Sequence, residues 1–457
     1  MQSQANAITL PYRPDSRDWY AALRHLPHPV WLDSGRPGSS YGRYDILAAD
    51  PERLLITRGP CTELRTRGRA TSQTLTGDPF ALLQAQLPPP CAGLTELPFC
   101  GGAIGLFGYD LGRHLERLPD KAVQDIDQPD MQVGIYPWAI VQDHREKVAW
   151  LVALPGTDAS EIRRFHDLKP LLTDTINPFN ISDFKNNINV EYYMKNIDRI
   201  RAYIHAGDCY QVNYAQRFSA RFDGDPLTAF LALRAALPSP FSGFMPLDQG
   251  AVISLSPERF IQCRAGQVET QPIKGTLPRG KTSASDQANA ESLQASLKDR
   301  AENLMIVDLL RNDLSKHCHT VRTPRLFELQ SFANVHHLVS TVTGVLNPGA
   351  QPLDLLRGAF PGGSITGAPK IRAMEIIEEL EPTRRHAYCG SLGYLSADGQ
   401  MDTSITIRTL VCDRERIHCW GGGGIVADSV AEQEYQESLD KVSLLMDTLT
   451  SLQPVSG

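Results

Sequence analysis

Tyr210-Gln211-Val212-Asn213-Tyr214-Ala215-Gln216-Arg217-Phe218-Ser219-Ala220-Arg221-Phe222 alternates in character. Val212, Tyr214, Phe218, Ala220 and Phe222 share one face, and Asn213, Arg217, Ser219 and Arg221 take the other. That period of two predicts a half-buried antiparallel strand. Before it, Asn189 caps a predicted helix with Met194, Ile197, Ile200 and Ile204 at helical spacing, and Gly207 stands just past its last turn. After it, Asp225-Pro226 starts a second helix that ends before Pro238. Residues 251–261 and 268–276 then read as two strands joined at Ala265-Gly266, and antiparallel pairing would bring Glu258 and Lys274 into one sheet.

Lys274 sits in Gln271-Pro272-Ile273-Lys274-Gly275-Thr276-Leu277-Pro278-Arg279, an apolar setting unusual for a surface lysine. Desolvation lowers a lysine's pKa and frees its amine as a nucleophile or base. A strand-edge lysine snorkelling to water fits the nonapeptide as well. Gly275 lets a ligand approach the backbone. Residues 280–290 read as a polar loop, followed by a helix to about Leu310. Counting about 100° per residue from Glu302, Ile306 lies at about 40°, Leu309 at about 340° and Met305 at about 300°, so this acid is on the apolar face. It needs a partner, either a core arginine or a metal ion.

Gly362-Gly363-Ser364-Ile365-Thr366-Gly367-Ala368-Pro369-Lys370 spaces two glycines as a phosphate loop does, but Ala368-Pro369 stands where Lys-Ser/Thr is required. It leads into a helix whose first amides could face an anion. Gly421-Gly422-Gly423-Gly424 suits carboxylate capture by backbone donors or a plain flexible turn. In the last helix Tyr435, Leu439, Val442, Met446 and Leu449 form a packing stripe, edged by Glu434, Glu437 and Lys441.

In the first part of the chain, residues 30–35 and 41–51 read as strands, 98–110 as a bent strand, and 135–141 with 147–154 as a hairpin. The glycines of 98–110 do not fit a dinucleotide fingerprint. A polar connection running to about residue 188 is the candidate boundary. The 457 residues are 42% hydrophobic and 21% charged, with no apolar run long enough to span a membrane. No secretory signal is visible at the N-terminus. Nine cysteines without a Cys-x-x-Cys pair imply reduced thiols and a cytoplasmic setting. A net charge of -7 without basic runs points away from nucleic acid.

Five motifs together carry a resemblance: Pro272-Ile273-Lys274-Gly275-Thr276, Asp308-Leu309-Leu310-Arg311-Asn312-Asp313, Gly367-Ala368-Pro369-Lys370, Ile405-Thr406-Ile407-Arg408, and the glycine run with Glu434 and Glu437. The chain resembles the chorismate-utilising enzymes over nearly its whole length. The resemblance implies an α/β (α+β) fold with two packed antiparallel sheets flanked by helices in a single compact body. Residues 1–180 would contribute sheet and an amino-acid pocket, interleaved with a chorismate-binding catalytic region at 181–453. The lysine of the first motif implies the branch that converts chorismate and ammonia to 4-amino-4-deoxychorismate, a folate precursor; the anthranilate-forming branch has alanine there. The alternatives are anthranilate or isochorismate synthesis, or a non-catalytic tryptophan-binding regulatory subunit.

By resemblance, Lys274 attacks C2 of chorismate while Glu258 protonates the departing 4-hydroxyl, with Thr276 and His337 completing the catalytic set; His336 is left as a core histidine. Glu302 and Glu437 would bind Mg²⁺, with Glu434 reaching it through water. Arg408, Tyr388 and the amides of Gly422, Gly423 and Gly424 match groups that grip the enolpyruvyl carboxylate, and Gly275 and Lys441 complete the substrate pocket. Ser34, Tyr41, Gly42, Arg43, Tyr44, Pro240, Phe241 and Ser242 match a pocket that holds tryptophan in relatives, as inhibitor or structural ligand. Phe99-Cys100-Gly101 has no His-Pro-Glu after it, so ammonia is expected from a separate glutamine amidotransferase subunit.

Overall fold

The computed structural model describes residues 4–35, 42–94, 96–158, 160, 162, 178–331 and 335–452. Within them the two expected antiparallel sheets are present, one of 13 strands and one of 12. The first runs from Asn6–Leu10 through Val30–Asp33, Phe241–Leu247, Gly250–Ser256, Thr409–Cys412 and Arg416–Ile425 to Gln211–Gly224 and Phe179–Ile181. The second runs from Ile273–Pro278 and Val335–Leu346 through Arg259–Arg264, Met401–Ile405 and Ser391–Ser396 to Gly102–Phe107, Arg53–Arg58 and Gln73–Thr76.

The apolar faces of both sheets close on one core: Val30, Ile46, Val252 and Val411 from the first meet Leu55, Ile104, Ile261 and Met401 from the second. The neighbours of the first group, Trp31, Leu47, Ile253 and Leu410, point the opposite way into a second cluster, beneath helices carrying Phe230, Leu233, Leu445 and Leu449. Strands buried on both faces read as continuous apolar runs. That corrects one expectation. Gln211–Gly224 is antiparallel as predicted, but its polar face is buried near its start: Asn213 and Arg217 are each 7% exposed. Arg217 tolerates this because Asp125 takes its guanidinium in two bonds of 2.6 and 2.7 Å.

The chain crosses between the sheets at prolines and at one irregular turn. Residues 135–141 are not one strand, because Pro137 separates Met131–Tyr136 in the second sheet from Trp138–Asp143 in the first. Residues 251–261 divide likewise at Pro257, and Met401–Ile405 passes to Thr409–Cys412 through Thr406-Ile407-Arg408. A proline cannot donate to a ladder and so marks where pairing changes partner. The last two crossings lie against each other: the Ile405 amide donates to Glu258 O at 3.0 Å and the Leu255 amide to Arg408 O at 3.0 Å.

Helix Val190–His205 starts at Asn189, whose side chain accepts from the Tyr192 amide, and Gly207 follows it at φ +84°. Residues 280–290, read as a loop, enter a helix instead, Ser283–Ala295, nucleated by a capping box between Thr282 and Ser285. The polar connection read as a boundary falls largely outside the described residues. No helix is long and apolar enough to cross a membrane among the described residues.

Candidate active site

The site gathers where the two crossings meet the Lys274 strand and two helices, Leu297–Ser315 and Ala431–Thr450. Gln267–Thr270 and Ile273–Pro278 both pair with Val335–Leu346, so they lie end to end beside it, bent at Gln271-Pro272. Arg259–Arg264 pairs with Gln267–Thr270, which carries Glu258 toward Ile273. Lys274 and Glu258 then converge on Ser364: the ammonium donates to its carbonyl at 3.0 Å, and the buried carboxyl hydrogen-bonds its side chain. Burial pushes the Glu258 carboxyl above its ordinary range, against the pull of Lys274. A carboxyl so placed keeps its proton at higher pH than a free one.

Gly275 is required by the backbone itself. Its φ of +76° makes the bulge between Lys274 and Thr276, and a Cβ there would stand 2.8 Å from Leu293 Cδ1 and 2.9 Å from Asp299 Cγ. Side chains of two helices press on it. Past the bulge, the Thr276 hydroxyl and His337 Nδ1 are 2.8 Å apart. Burial and the nearby Arg408 charge push His337 down to about 4, so its ring is neutral at physiological pH. His336 is held elsewhere, between Asp286 at 3.0 Å and Ser331 at 2.8 Å.

Arg408 has φ +48° and is pulled down by burial alone. Among the described residues no carboxylate or carbonyl pairs with its guanidinium, an arrangement that calls for an anion. The glycine run, read as a loop or turn, lies inside the strand Arg416–Ile425. One edge pairs with Gln211–Gly224 throughout, while pairing of the other edge with Thr409–Cys412 stops at Cys419. Gly422 to Gly424 therefore have one edge without a strand partner. The glycines are needed for close approach: a Cβ at Gly421 would lie 2.0 Å from Ser438 O, and one at Gly424 2.0 Å from Gln211 Nε2.

Glu302, Glu434 and Glu437 come from the two helices and surround cations. Lys298 Nζ lies 3.2 Å from Glu434 and 4.0 Å from Glu302, while Lys441 binds Glu437 at 2.6 Å and Gly422 O at 2.9 Å. Burial raises the Glu302 carboxyl, with Lys274 and Lys298 opposing. Burial also acts on Glu437, but Lys441 outweighs it and the net shift is downward. A Cβ on Gly423 would be 3.4 Å from both Glu434 Oε2 and Glu437 Oε1, so these acids flank the same backbone atom. Three hard-oxygen donors fit Mg²⁺ in kind. As they stand, no three acids converge closely enough to ligate an ion among the described residues, and lysines lie between them.

The Tyr388 ring stacks on Trp420 at 5.6 Å and lies under the Arg385 guanidinium, which donates to Ile365 O beside Ser364 at 2.9 Å. In the Gly-Ala-Pro-Lys motif the Lys370 side chain is bound to Asp313 at 2.7 Å and to Ala359 O at 2.7 Å, which joins it to the end of the Asp308–Asp313 motif. Sequence reasoning missed three site residues. Ser364 gave no signal, Lys298 is one turn before Glu302, and Gln211 shares the polar face with Asn213. Gln211 is 1% exposed, and among the described residues neither its side-chain nitrogen nor its oxygen has a partner.

A separate cavity of about 300 Å³ lies between the sheets, lined by Ser34, Arg43, Tyr44, Pro240, Phe241 and Ser242 among others. Gly42 is half-buried beside Arg43, and Tyr41 lies outside the described residues.

Comparison with known proteins gives the family. The chain is 50% identical to aminodeoxychorismate synthase component 1 of Salmonella typhimurium, over 97% of this chain and 98% of that one. It is 49% identical to the Escherichia coli protein of the same name, over 97% and 98%. The solved anthranilate synthase component I of Streptococcus pneumoniae superposes with a TM-score of 0.79 at 31% identity, covering 90% of this chain and 93% of that one. Residues 28–447 match the description "chorismate binding enzyme", and the chain belongs to that family.

Proposed function

We propose that this chain is the component of aminodeoxychorismate synthase that converts chorismate and ammonia to 4-amino-4-deoxychorismate, with Lys274 as nucleophile. The observation that carries the mechanism is the meeting of Lys274 and Glu258 on Ser364. In the first step the Lys274 nitrogen forms a bond to C2, the ring double bonds shift, and the C4–O bond breaks. The departing oxygen takes the proton of Glu258 and leaves as water. Ammonia then bonds to C4 as the C2–N bond breaks, which returns the electron pair to Lys274.

The half-buried Arg408, with no acid paired to it among the described residues, and the open edge of Gly422 to Gly424 suit the enolpyruvyl carboxylate. Glu302, Glu434 and Glu437 would hold Mg²⁺, which when bound supplies a Lewis acid to the ring carboxylate. Thr276 and the neutral His337 border the reacting face without adding charge. Ammonia is supplied by a separate glutamine amidotransferase component, as the "component 1" in the relatives' names suggests. The cavity at Ser34 and Ser242 has the size and polar rim for an amino acid such as tryptophan.

The test is covalent. Incubated with chorismate and Mg²⁺ but no ammonia, the chain should gain the mass of chorismate less water on the peptide containing Lys274. Lys274→Ala should abolish the gain. No adduct in the wild type, together with Lys274→Ala forming aminodeoxychorismate at a similar rate, would assign the lysine to positioning instead.

A further inference from the structure

Lys298 lies at the first turn of Leu297–Ser315, one turn before Glu302, and its ammonium spans the two helices to Glu434. Glu434 is 3% exposed and is held also by Ser429, whose hydroxyl donates to Oε1 at 2.6 Å. Lys298 and Ser429 thus share the same carboxylate oxygen. Lys441 is tied down differently, by a backbone carbonyl as well as Glu437. Of the two cations, Lys298 alone joins acids from both helices, and it stands where those acids would have to close on a common ion. Its side chain is 49% exposed, so water is open to it if it leaves.

We propose that Lys298 is a resident counter-cation of the acid set, which bridges Glu302 and Glu434 while no metal is bound and is displaced into solvent when a divalent cation enters. This rests on the magnesium reading above. Two helices bearing three acids repel each other when nothing neutralises them, and a tethered ammonium relieves that repulsion. A divalent ion delivers twice the charge at shorter range, so exchange is favourable once its own dehydration is met. Lys298 therefore competes with the metal and supports the fold in its absence.

The test uses Mn²⁺ as the probe, without chorismate, with free ion measured by electron paramagnetic resonance. Lys298→Met should bind Mn²⁺ roughly 1.5- to fivefold more tightly than wild type, the span expected of a partly exposed ion pair. In chelator the same variant should melt below wild type, and added Mg²⁺ should close the gap. If Lys298→Met does not fold, the wild-type chain still decides: acetylation of Lys298 by a water-soluble ester, read by peptide mass, should rise when Mg²⁺ is added. Unchanged or weaker Mn²⁺ binding by a folded variant, or labelling indifferent to Mg²⁺, overturns the proposal. Absence of Mn²⁺ binding in the wild type removes the magnesium reading and this proposal with it; binding of equal strength in wild type and variant removes this proposal alone.

Discussion

Glu258 and Glu302 share one electrostatic condition. Burial raises both, so each takes up a proton on folding, and the stability it lends is full below its ordinary value of 4.5 and lost as pH rises through the raised value. Ionised acids at these positions thus work against the fold at neutral pH. Glu302→Gln should melt at the same temperature as wild type or above it at pH 8, while turnover with ammonia falls on the order of 100-fold if Glu302 holds the metal. Calorimetry with a steady-state assay checks both, and full turnover in a folded variant removes Glu302 from the metal site. If Glu258 is the general acid, the rate should also decline on the alkaline side as it loses its proton, because a general acid must be protonated. Some of this was legible in the sequence. Glu302 on an apolar face announced a partner, since one helix supplies the geometry. Lys298 could not be placed, because its second carboxylate is on a helix more than a hundred residues away.

Among the elements, the strand Arg416–Ile425 shows how packing overrides a local signal. Four consecutive glycines read as a turn, yet both neighbours demand absent side chains: Ser438 of the C-terminal helix presses on Gly421, and Gln211 on Gly424. Gly421→Ala must push back a helix backbone and should cost about 1–3 kcal/mol. Gly423→Ala meets only the ends of side chains, carboxylate oxygens at 3.4 Å and the Lys441 nitrogen at 3.6 Å, so it should keep the melting temperature while disturbing metal and substrate affinity if these residues form the site. Equal destabilisation by the two in thermal melts would remove the distinction drawn between packing and site glycines. The alternation of Gln211–Gly224 was legible because period two is a property of one strand; that its polar face is covered was not, because Asp125 arrives from elsewhere. The prolines at 137 and 257 hid in runs that looked continuous, since a crossing between sheets leaves the apolar character of the chain unchanged.

At the scale of the molecule, each sheet is built from both parts of the chain. Val30–Asp33 pairs with Phe241–Leu247 in one sheet, and Gly102–Phe107 with Ser391–Ser396 in the other. Cutting between residues 180 and 181 would leave both edges open and split the core. The chain should therefore unfold in denaturant as one transition by fluorescence and circular dichroism, and a fragment ending at residue 180 should not fold alone. Two separated transitions, or a folded fragment, would show the parts to be independent.

Within that shared body Lys274 Nζ is bonded to the Ser364 carbonyl and, among the described residues, to no acid. It forms no ion pair there that a neutral side chain would break. Heredity acts on such a residue in a particular way: if Lys274 is the nucleophile, a change at codon 274 alters chemistry while removing one hydrogen bond and no ion pair among the described residues.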